Sequence, residues 1–325
     1  MRFVLKRLGF YLIAAWAALT LNFILPRTMP GDPATTLFAS FRGQLRPAQL
    51  ESLKKAYGLS NAPLWQQYLQ YIGSVFHGDF GISLSHFPEP VLAVIGTAIR
   101  WTVLLGVVSL LLSFVIGTAL GAIGAWRRGR TLDSVMPPVL MFIGSFPHFF
   151  LALIILFVLG LTLNWFPHNH AYDDFITPSL SLGFVGSVLY HLVLPAGTIV
   201  IVAIASWMIR TRNTMIGILS EDYLMVAEAK GLSQLRILVR YAARNAMLPN
   251  ITAFGMDLGF ILSGQLLTEI VFSYPGLGYQ LLQAVQTLDY PLMQALFLMI
   301  TVTVLAANLI VDVLYVRLDP RARTG

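Results

Sequence analysis

The chain of 325 residues has no cysteine, which excludes disulfides, thiolate metal sites and cysteine nucleophiles at once and leaves the compartment open. It is also short of charge. Asp, Glu, Lys and Arg make up 11% of it against 57% hydrophobic residues, where soluble proteins carry roughly 25% charged residues. A soluble domain of this size needs a charged surface to stay dissolved, so this composition specifies a protein built for lipid. Other signals are missing too. No closely spaced glycines run into Gly-Lys-Ser or Gly-Lys-Thr, so the chain has no phosphate-binding loop of its own. It has no His-Glu-x-x-His pair and no serine with an evident histidine base. The sequence therefore points away from an enzyme, and no cofactor or bound metal is expected. A net charge of +6 would suggest nucleic acid in a soluble protein. In a membrane protein the placement of that charge carries the meaning, and no nucleic-acid partner is expected.

Crossing the hydrocarbon takes a helix of roughly 20 apolar residues, because only internal hydrogen bonding satisfies the backbone there. Six stretches qualify: 8–25, 101–125, 136–163, 192–209, 251–271 and 292–311. The expected fold class is an all-α integral membrane protein with six transmembrane helices. The first stretch follows Arg2, Lys6 and Arg7 in the manner of a signal peptide. It lacks a small-residue cleavage site and runs into Pro26 after a large residue, so it reads as an uncleaved span. Lysine and arginine are retained on the cytoplasmic side of short loops. With both termini inside, fifteen of the 21 basic residues fall in cytoplasmic segments, and the other six lie between Arg27 and Arg100, in or beside one long segment where the rule is weak. Both termini are therefore expected in the cytoplasm. The chain then divides into an N-terminal helix, 1–26, an external subdomain, 27–98, and a five-helix core, 99–325, with a cytoplasmic loop at 210–248.

Segments 27–98 and 210–248 are too long to be mere connectors, and they lie on opposite sides of the membrane, which suggests two different partners. In the cytoplasmic loop Ser220 is suited to cap a helix, Glu221 and Asp222 to its positive end and Lys230 to its negative end. Gly231 is placed to close that helix in the left-handed conformation, and Ser233 to cap the next, which runs to Pro249. On the second helix Arg236, Arg240 and Arg244 recur every four residues beside Leu235, Leu238, Tyr241 and Ala242. Such faces suit docking to a protein and equally suit resting on anionic headgroups.

In the external segment, Pro30-Gly31-Asp32-Pro33 marks a turn, 47–56 a helix and 64–80 an aromatic-rich stretch. This reads as a small amphipathic subdomain, either a partner's dock or a lid lying on headgroups. His168, His170, Asp173 and Asp174 carry ligand atoms for a divalent metal, and a hydrated polar loop explains them equally well. Within the spans Asp257 is the one deep carboxylate, with Glu269 and Asp312 nearer span ends. It lines a pathway, pairs structurally or, in a secondary carrier, couples to protons. Gly255, Gly259, Ser263 and Gly264 form a small-residue face for close helix approach. Asp257, Ser263, Gln265, Thr268 and Glu269 are accordingly the candidates for a translocation path. Pro137, Pro138 and Pro147 kink the third stretch, as a hinge or as a tolerated break.

The run Asp222-Tyr223-Leu224-Met225-Val226-Ala227-Glu228-Ala229-Lys230-Gly231-Leu232-Ser233 resembles the cytoplasmic loop of permease subunits of peptide-type ATP-binding-cassette importers. Residues 241–249, 268–278 and 312–321 also follow that pattern. So do Pro30-Gly31-Asp32-Pro33, Tyr57-Gly58-Leu59, Gly78-Asp79-Phe80-Gly81 and Asp289-Tyr290-Pro291, so the likeness covers nearly the whole chain. The resemblance implies a type I importer permease in a bacterial or archaeal cell membrane, forming half of a channel with a second homologous permease. It implies two separate ATP-binding subunits and an extracytoplasmic substrate-binding protein as further partners, beside membrane lipid. Tyr223, Leu224, Ala227, Glu228, Ala229, Lys230, Gly231, Leu232 and Ser233 would form the coupling segment that meets the ATPase. Met225-Val226-Ala227 departs from the Glu-Ala-Ala more general in such importers, so Ala227 and Gly231 carry the match. Short peptides are the default substrate. Oligosaccharides, suggested by Gly186-Ser187-Val188-Leu189-Tyr190-His191 and by 208–215, are an alternative, as is nickel. An ion-coupled secondary carrier is the alternative of another class.

Overall fold

The computed structural model describes residues 2–30, 62–259, 261 and 265–318. The helix expected at 47–56, most of the turn cluster at Pro30 and the motif Tyr57-Gly58-Leu59 lie outside the described residues. Among the described residues the structure is helical, with one isolated β-bridge between Ile82 and Pro90. The helices are α1 (Arg2–Thr28), α2 (Leu64–His77), α3 (Val91–Trp126), α4 (Thr131–Gly144), α5 (His148–Ile155), α6 (Leu182–Leu219), α7 (Asp222–Ala229), α8 (Arg244–Gly259), α9 (Leu266–Val271), α10 (Leu277–Gln286) and α11 (Tyr290–Leu318). A π-helical stretch, Leu156–Thr162, prolongs α5, and another, Ile237–Ala243, leads into α8.

Among the described residues, α1 from Gly9, α3, α6 and α11 to Ile310 are each long and apolar enough to cross a membrane. The pair Asp133–Gly144 and His148–Thr162 makes a fifth crossing if it is one span, bent by 95°. The bend falls at Pro147, which stands just ahead of α5 at φ −57° and cannot donate a backbone hydrogen bond back to α4. Pro137 and Pro138 lie inside α4 without ending it. Of the three prolines, then, Pro147 alone marks the break. The stretch 251–271 is shared between α8 and α9, with residues 260 and 262–264 outside the described set.

The described residues fall into two compact units, one drawn from Met1–Thr102, Leu262–Leu266 and Pro275–Gly325, the other from Val103–Ile261 and Leu267–Tyr274. In the first, α1 and α10 pack on α11. Its core joins Val91, Val94 and Ala98 to Leu277, Ala284, Leu292 and Leu296. Gly278 allows α10 to sit against the chain at Leu266, whose Cα a Cβ there would approach to 2.5 Å. The Gly78-Asp79-Phe80-Gly81 motif is a turn. Gly78 ends α2 at φ +70°, Gly81 has φ +74°, and Asp79 Oδ1 accepts a 3.0 Å hydrogen bond from the Gly81 N–H.

In the second unit α6 is the central post, with α4, α5 and α8 against it. Helix α3 also approaches α6 closely, at its glycines. A Cβ on Gly117 would lie 2.5 Å from Trp207 Cβ, and one on Gly121 would strike the Met208 carbonyl oxygen and lie 2.8 Å from Thr211 Cβ. Buried Ala125 continues the same four-residue spacing. The small-residue face anticipated around Gly255 is different, since Gly255 has nothing within 4 Å of its Cβ position. Ser263 and Gly264 of that face lie outside the described residues.

Candidate functional site

The segment that joins α6 to α8 is built from two sharp reversals. At the first, the Ser220 hydroxyl donates to the Gly217 carbonyl at 2.7 Å, closing α6 behind it. Ser220 was expected to cap α7. The capping position falls instead on extended Glu221, whose side chain makes no cap bond, and Asp222 occupies the first turn, where its charge complements the helix dipole. At the second reversal Gly231 takes φ +74°. Its N–H donates to Glu228 O at 2.8 Å, and the Leu232 N–H donates to Ala227 O at 3.3 Å. These two crossed bonds are the Schellman arrangement, in which a left-handed residue after the last turn satisfies carbonyls the helix leaves open. Gly231 thus closes the helix in the left-handed conformation expected of it. Ser233 stands at the capping position of the turn Gln234–Arg236, but its side chain forms no cap bond.

The nine candidate coupling residues sort by direction. Leu224 and Ala227, 5% and 3% exposed, face inward on Met215, Ile237, Ala242, Ala246 and Ala125, and Leu232 packs on the same cluster. Their spacing of three, which puts them on one helix face, fixes α7 to its own chain. Tyr223 is exposed but held, its hydroxyl accepting from Asn245 Nδ2 at 2.8 Å and donating to the Tyr241 carbonyl at 3.5 Å. Glu228, Ala229, Lys230, Gly231 and Ser233 are exposed, with Glu228 Oε1 accepting from Gln234 Nε2 at 3.4 Å. Between them Met225 and Val226, 67% and 53% exposed, form the apolar part of the outward face. Beyond the turn, an open groove of about 560 Å³ is lined by Ser233, Leu235, Arg236, Val239 and Arg240. Leu235 therefore stands with the arginines, whereas Leu238 and Ala242 pack inward on the cluster, dividing the apolar face anticipated for this helix.

An ion pair near the base of this segment was not anticipated. Arg212 Nε, near the end of α6, donates to Asp133 Oδ1 at 2.5 Å, while Asp133 Oδ2 accepts from the Gly129 N–H at 3.0 Å. The sequence signal was available, because Asp133 is the only acidic residue between Glu89 and Asp173 and lies beside Arg127, Arg128 and Arg130. Deeper along α6, buried Asn250 of α8 donates to Thr211 Oγ1 at 2.6 Å, and Thr211 donates on to Trp207 O at 2.8 Å.

The candidate path residues that the structure describes differ in exposure. Asp257 is exposed on α8, Gln265 is half-buried, and Thr268 and Glu269 on α9 are buried. Glu269, expected near water, is fully buried. Ser263 lies outside the described residues, and of the Asp312 side chain nothing is described. In the loop before α6, His170 pairs with Asp174 (Nδ1 to Oδ1, 2.9 Å), and Asp173 Oδ1 accepts from the Phe175 N–H. Among the described residues no three His, Asp or Glu side chains converge as a metal-binding group would.

The described structure is that of a helical multi-pass chain in which a short glycine-closed helix joins α6 to the segment leading into α8. Residues 117–324 match the family of binding-protein-dependent transport system inner membrane components, and residues 1–115 match the N-terminal part of such membrane components. The chain belongs to this family and is a multi-pass membrane permease. It is 33% identical over 324 residues to the dipeptide transport system permease protein DppB of Lactococcus lactis subsp. cremoris, covering 99% of each chain. It is 34% identical to the di/tripeptide transport system permease protein DppB of Pseudomonas aeruginosa, over 99% of this chain and 98% of that one. To the glutathione transport system permease protein GsiC of Escherichia coli K12 it is 33% identical, over 99% of each chain.

Proposed function

We propose that this chain is the channel-forming permease subunit of an ATP-binding-cassette importer for short peptides. It has six spans and both termini in the cytoplasm, organised as 1–26, 27–98 and 99–325. The observation that carries the reading is the construction of α7. Leu224 and Ala227 lock the helix to its own chain while Met225, Val226, Glu228 and Lys230 face outward, the arrangement a push-rod needs to transmit a partner's motion. In this reading the outward face and the groove beside Arg236 and Arg240 receive one of two ATP-binding subunits. A second homologous permease completes the channel, and an extracytoplasmic binding protein delivers substrate. Asp257, Ser263 and Gln265 line the path, and buried Thr268 and Glu269 shape it from behind. The relatives are named for dipeptides, di- and tripeptides and glutathione, all peptides, which favours peptide over sugar or nickel.

The test is purification of the tagged chain from its native membrane in mild detergent, with mass spectrometry of co-purifying proteins, followed by peptide uptake in proteoliposomes. The reading requires an ATPase, a second permease and uptake that depends on ATP and on a binding protein. A chain that purifies alone and moves substrate down an ion gradient without ATP would replace it with a secondary carrier.

A further inference from the structure

Helix α2 has three faces. Gln67, Tyr68 and Tyr71 turn toward α1, where Tyr68 and Tyr71 ring-pack on Phe23 at 5.2 and 5.8 Å between centroids. Gln66, Gln70, Ser74 and His77 make an exposed polar face. The third is a stripe at the helical spacing i, i+4, i+7, i+11: Trp65, Leu69, Ile72 and Phe76, of which Trp65, Leu69 and Phe76 are 62%, 60% and 81% exposed. Four apolar side chains in register on one helix are not scattered surface hydrophobics.

The depth at which α2 is held says what covers them. The Thr20 hydroxyl donates to Trp16 O at 2.9 Å, so the Tyr68 hydroxyl is the donor in the 2.8 Å bond to Thr20 Oγ1. Thr20 lies eight residues before the end of α1 at Thr28, which is about 12 Å down a membrane-spanning helix. One turn above the Phe23 contact, Arg27 lies over the Phe23 ring at 3.7 Å and donates to Gln67 Oε1 at 3.3 Å, keeping its charge at the level where apolar helix gives way to polar surroundings. On α1 itself Leu21, Ile24 and Leu25, in the half of the span nearer Thr28, are exposed apolar side chains as well. A helix pinned to a span at that depth cannot turn an aromatic stripe to water.

We propose that α2 is an interfacial helix whose Trp65, Leu69, Ile72 and Phe76 stripe is buried in the bilayer's headgroup and upper acyl region beside α1. The bilayer covers this face. The helix anchors the segment between the first two spans to the membrane surface. Such helices lie in the interface plane with their apolar face about 5–10 Å into the headgroup and acyl boundary, and tryptophan is favoured there. The proposal needs only that α1 spans the membrane and holds whatever the chain transports.

The chain's lack of cysteine gives a clean test. Single substitutions Trp65→Cys, Leu69→Cys and Phe76→Cys, with Gln66→Cys and Gln70→Cys as references, are spin-labelled in the full-length chain, in lipid nanodiscs with the subunits that co-purify. Collision rates with molecular oxygen and with a water-soluble nickel chelate then report depth. Labels on the stripe are expected to meet oxygen in preference to the chelate, at a depth of about 5–10 Å, with the preference reversed at 66 and 70. Free access of the chelate to the stripe would overturn the proposal, and so would shielding from both reagents, which means cover by protein. A conservative second measurement compares the parent chain with Trp65→Phe in nanodiscs of brominated lipid. The emission lost with Trp65 should be the fraction that bromine quenches, and an unquenched Trp65 contribution overturns the proposal independently.

Discussion

The carboxylate of Asp289 and the hydroxyl of Ser83, 206 residues apart in the chain, share a 2.5 Å hydrogen bond with both side chains fully buried. The same carboxylate oxygen accepts from the Ser85 N–H at 3.0 Å and the Ser85 hydroxyl at 2.9 Å, and the other accepts from the Leu292 N–H at 3.1 Å. Asp289 thus caps α11 and clamps the loop that follows α2 in one stroke. Removing it costs the cap at the buried Leu292 N–H and takes the carboxylate from the buried Ser83 hydroxyl. Asp289→Ala is expected to destabilise the first unit by about 3 kcal/mol, and Asp289→Asn by less, because one carbonyl oxygen can still accept. Thermal unfolding of the detergent-purified chain reads the order, which should be parent, Asn, Ala. An alanine variant that melts with the parent would show the clamp to be idle.

Gly121 and Gly124 differ by less than one helical turn and have opposite surroundings. A Cβ on Gly121 strikes the backbone of α6, whereas one on Gly124 meets nothing within 4 Å. Gly121→Ala is expected to cost about 1–3 kcal/mol by overpacking. Gly124→Ala should be neutral or stabilise by up to about 1 kcal/mol, as alanine replaces glycine in a helix. Equal melting temperatures for the two variants would show that α3 and α6 are not in backbone contact.

Helix content and the turn at Gly231 were legible in the sequence because each has a local cause: long apolar runs in one case, a residue without a Cβ after a charged helix end in the other. What was not legible depended on direction. Nothing in the order Leu224-Met225-Val226-Ala227 says which pair points home; that is decided by Met215, Ile237 and Ala242, brought up by other helices. Gly117 and Gly121 share a four-residue spacing with Gly255 and Gly259, and only the fold shows that α6 lies against the first pair. Ser220 could close α6 or open α7 by the same chemistry, and its hydroxyl reaches the Gly217 carbonyl behind it.

Arg212 and Asp133 form a mostly buried pair, with side-chain exposures of 23% and 7%, and Asp133 also holds the Gly129 N–H. Asp133→Asn keeps the shape and removes the charge, leaving a mostly buried arginine without its counter-charge. The expected loss is about 2 kcal/mol, seen as a lower melting temperature and faster proteolysis in the loop around Arg128. Asp133→Arg combined with Arg212→Asp should recover part of the loss if the pair itself matters. Recovery would not occur if Asp133 acts only through the Gly129 N–H.

The two faces of α7 give the sharpest separation of structure from transport. Leu224→Ala empties a buried site and is expected to destabilise the chain by about 2–5 kcal/mol. Val226→Asp touches nothing inward, and its effect on melting should stay within about 0.5 kcal/mol. If the outward face receives an ATPase, the ranking reverses in the assembled importer. Val226→Asp should then uncouple peptide uptake from ATP hydrolysis or release the ATPase during purification, in a chain that melts normally. Gly231→Ala lies between these cases. Its surroundings are open, so a methyl group fits, and the cost is the backbone strain of a left-handed alanine, about 1–2 kcal/mol. Gly231→Asn should recover much of that, since asparagine tolerates this conformation better. A Val226→Asp importer that retains its ATPase and couples normally would move the docking surface off α7, leaving the groove at Arg236 and Arg240 as the face to test next.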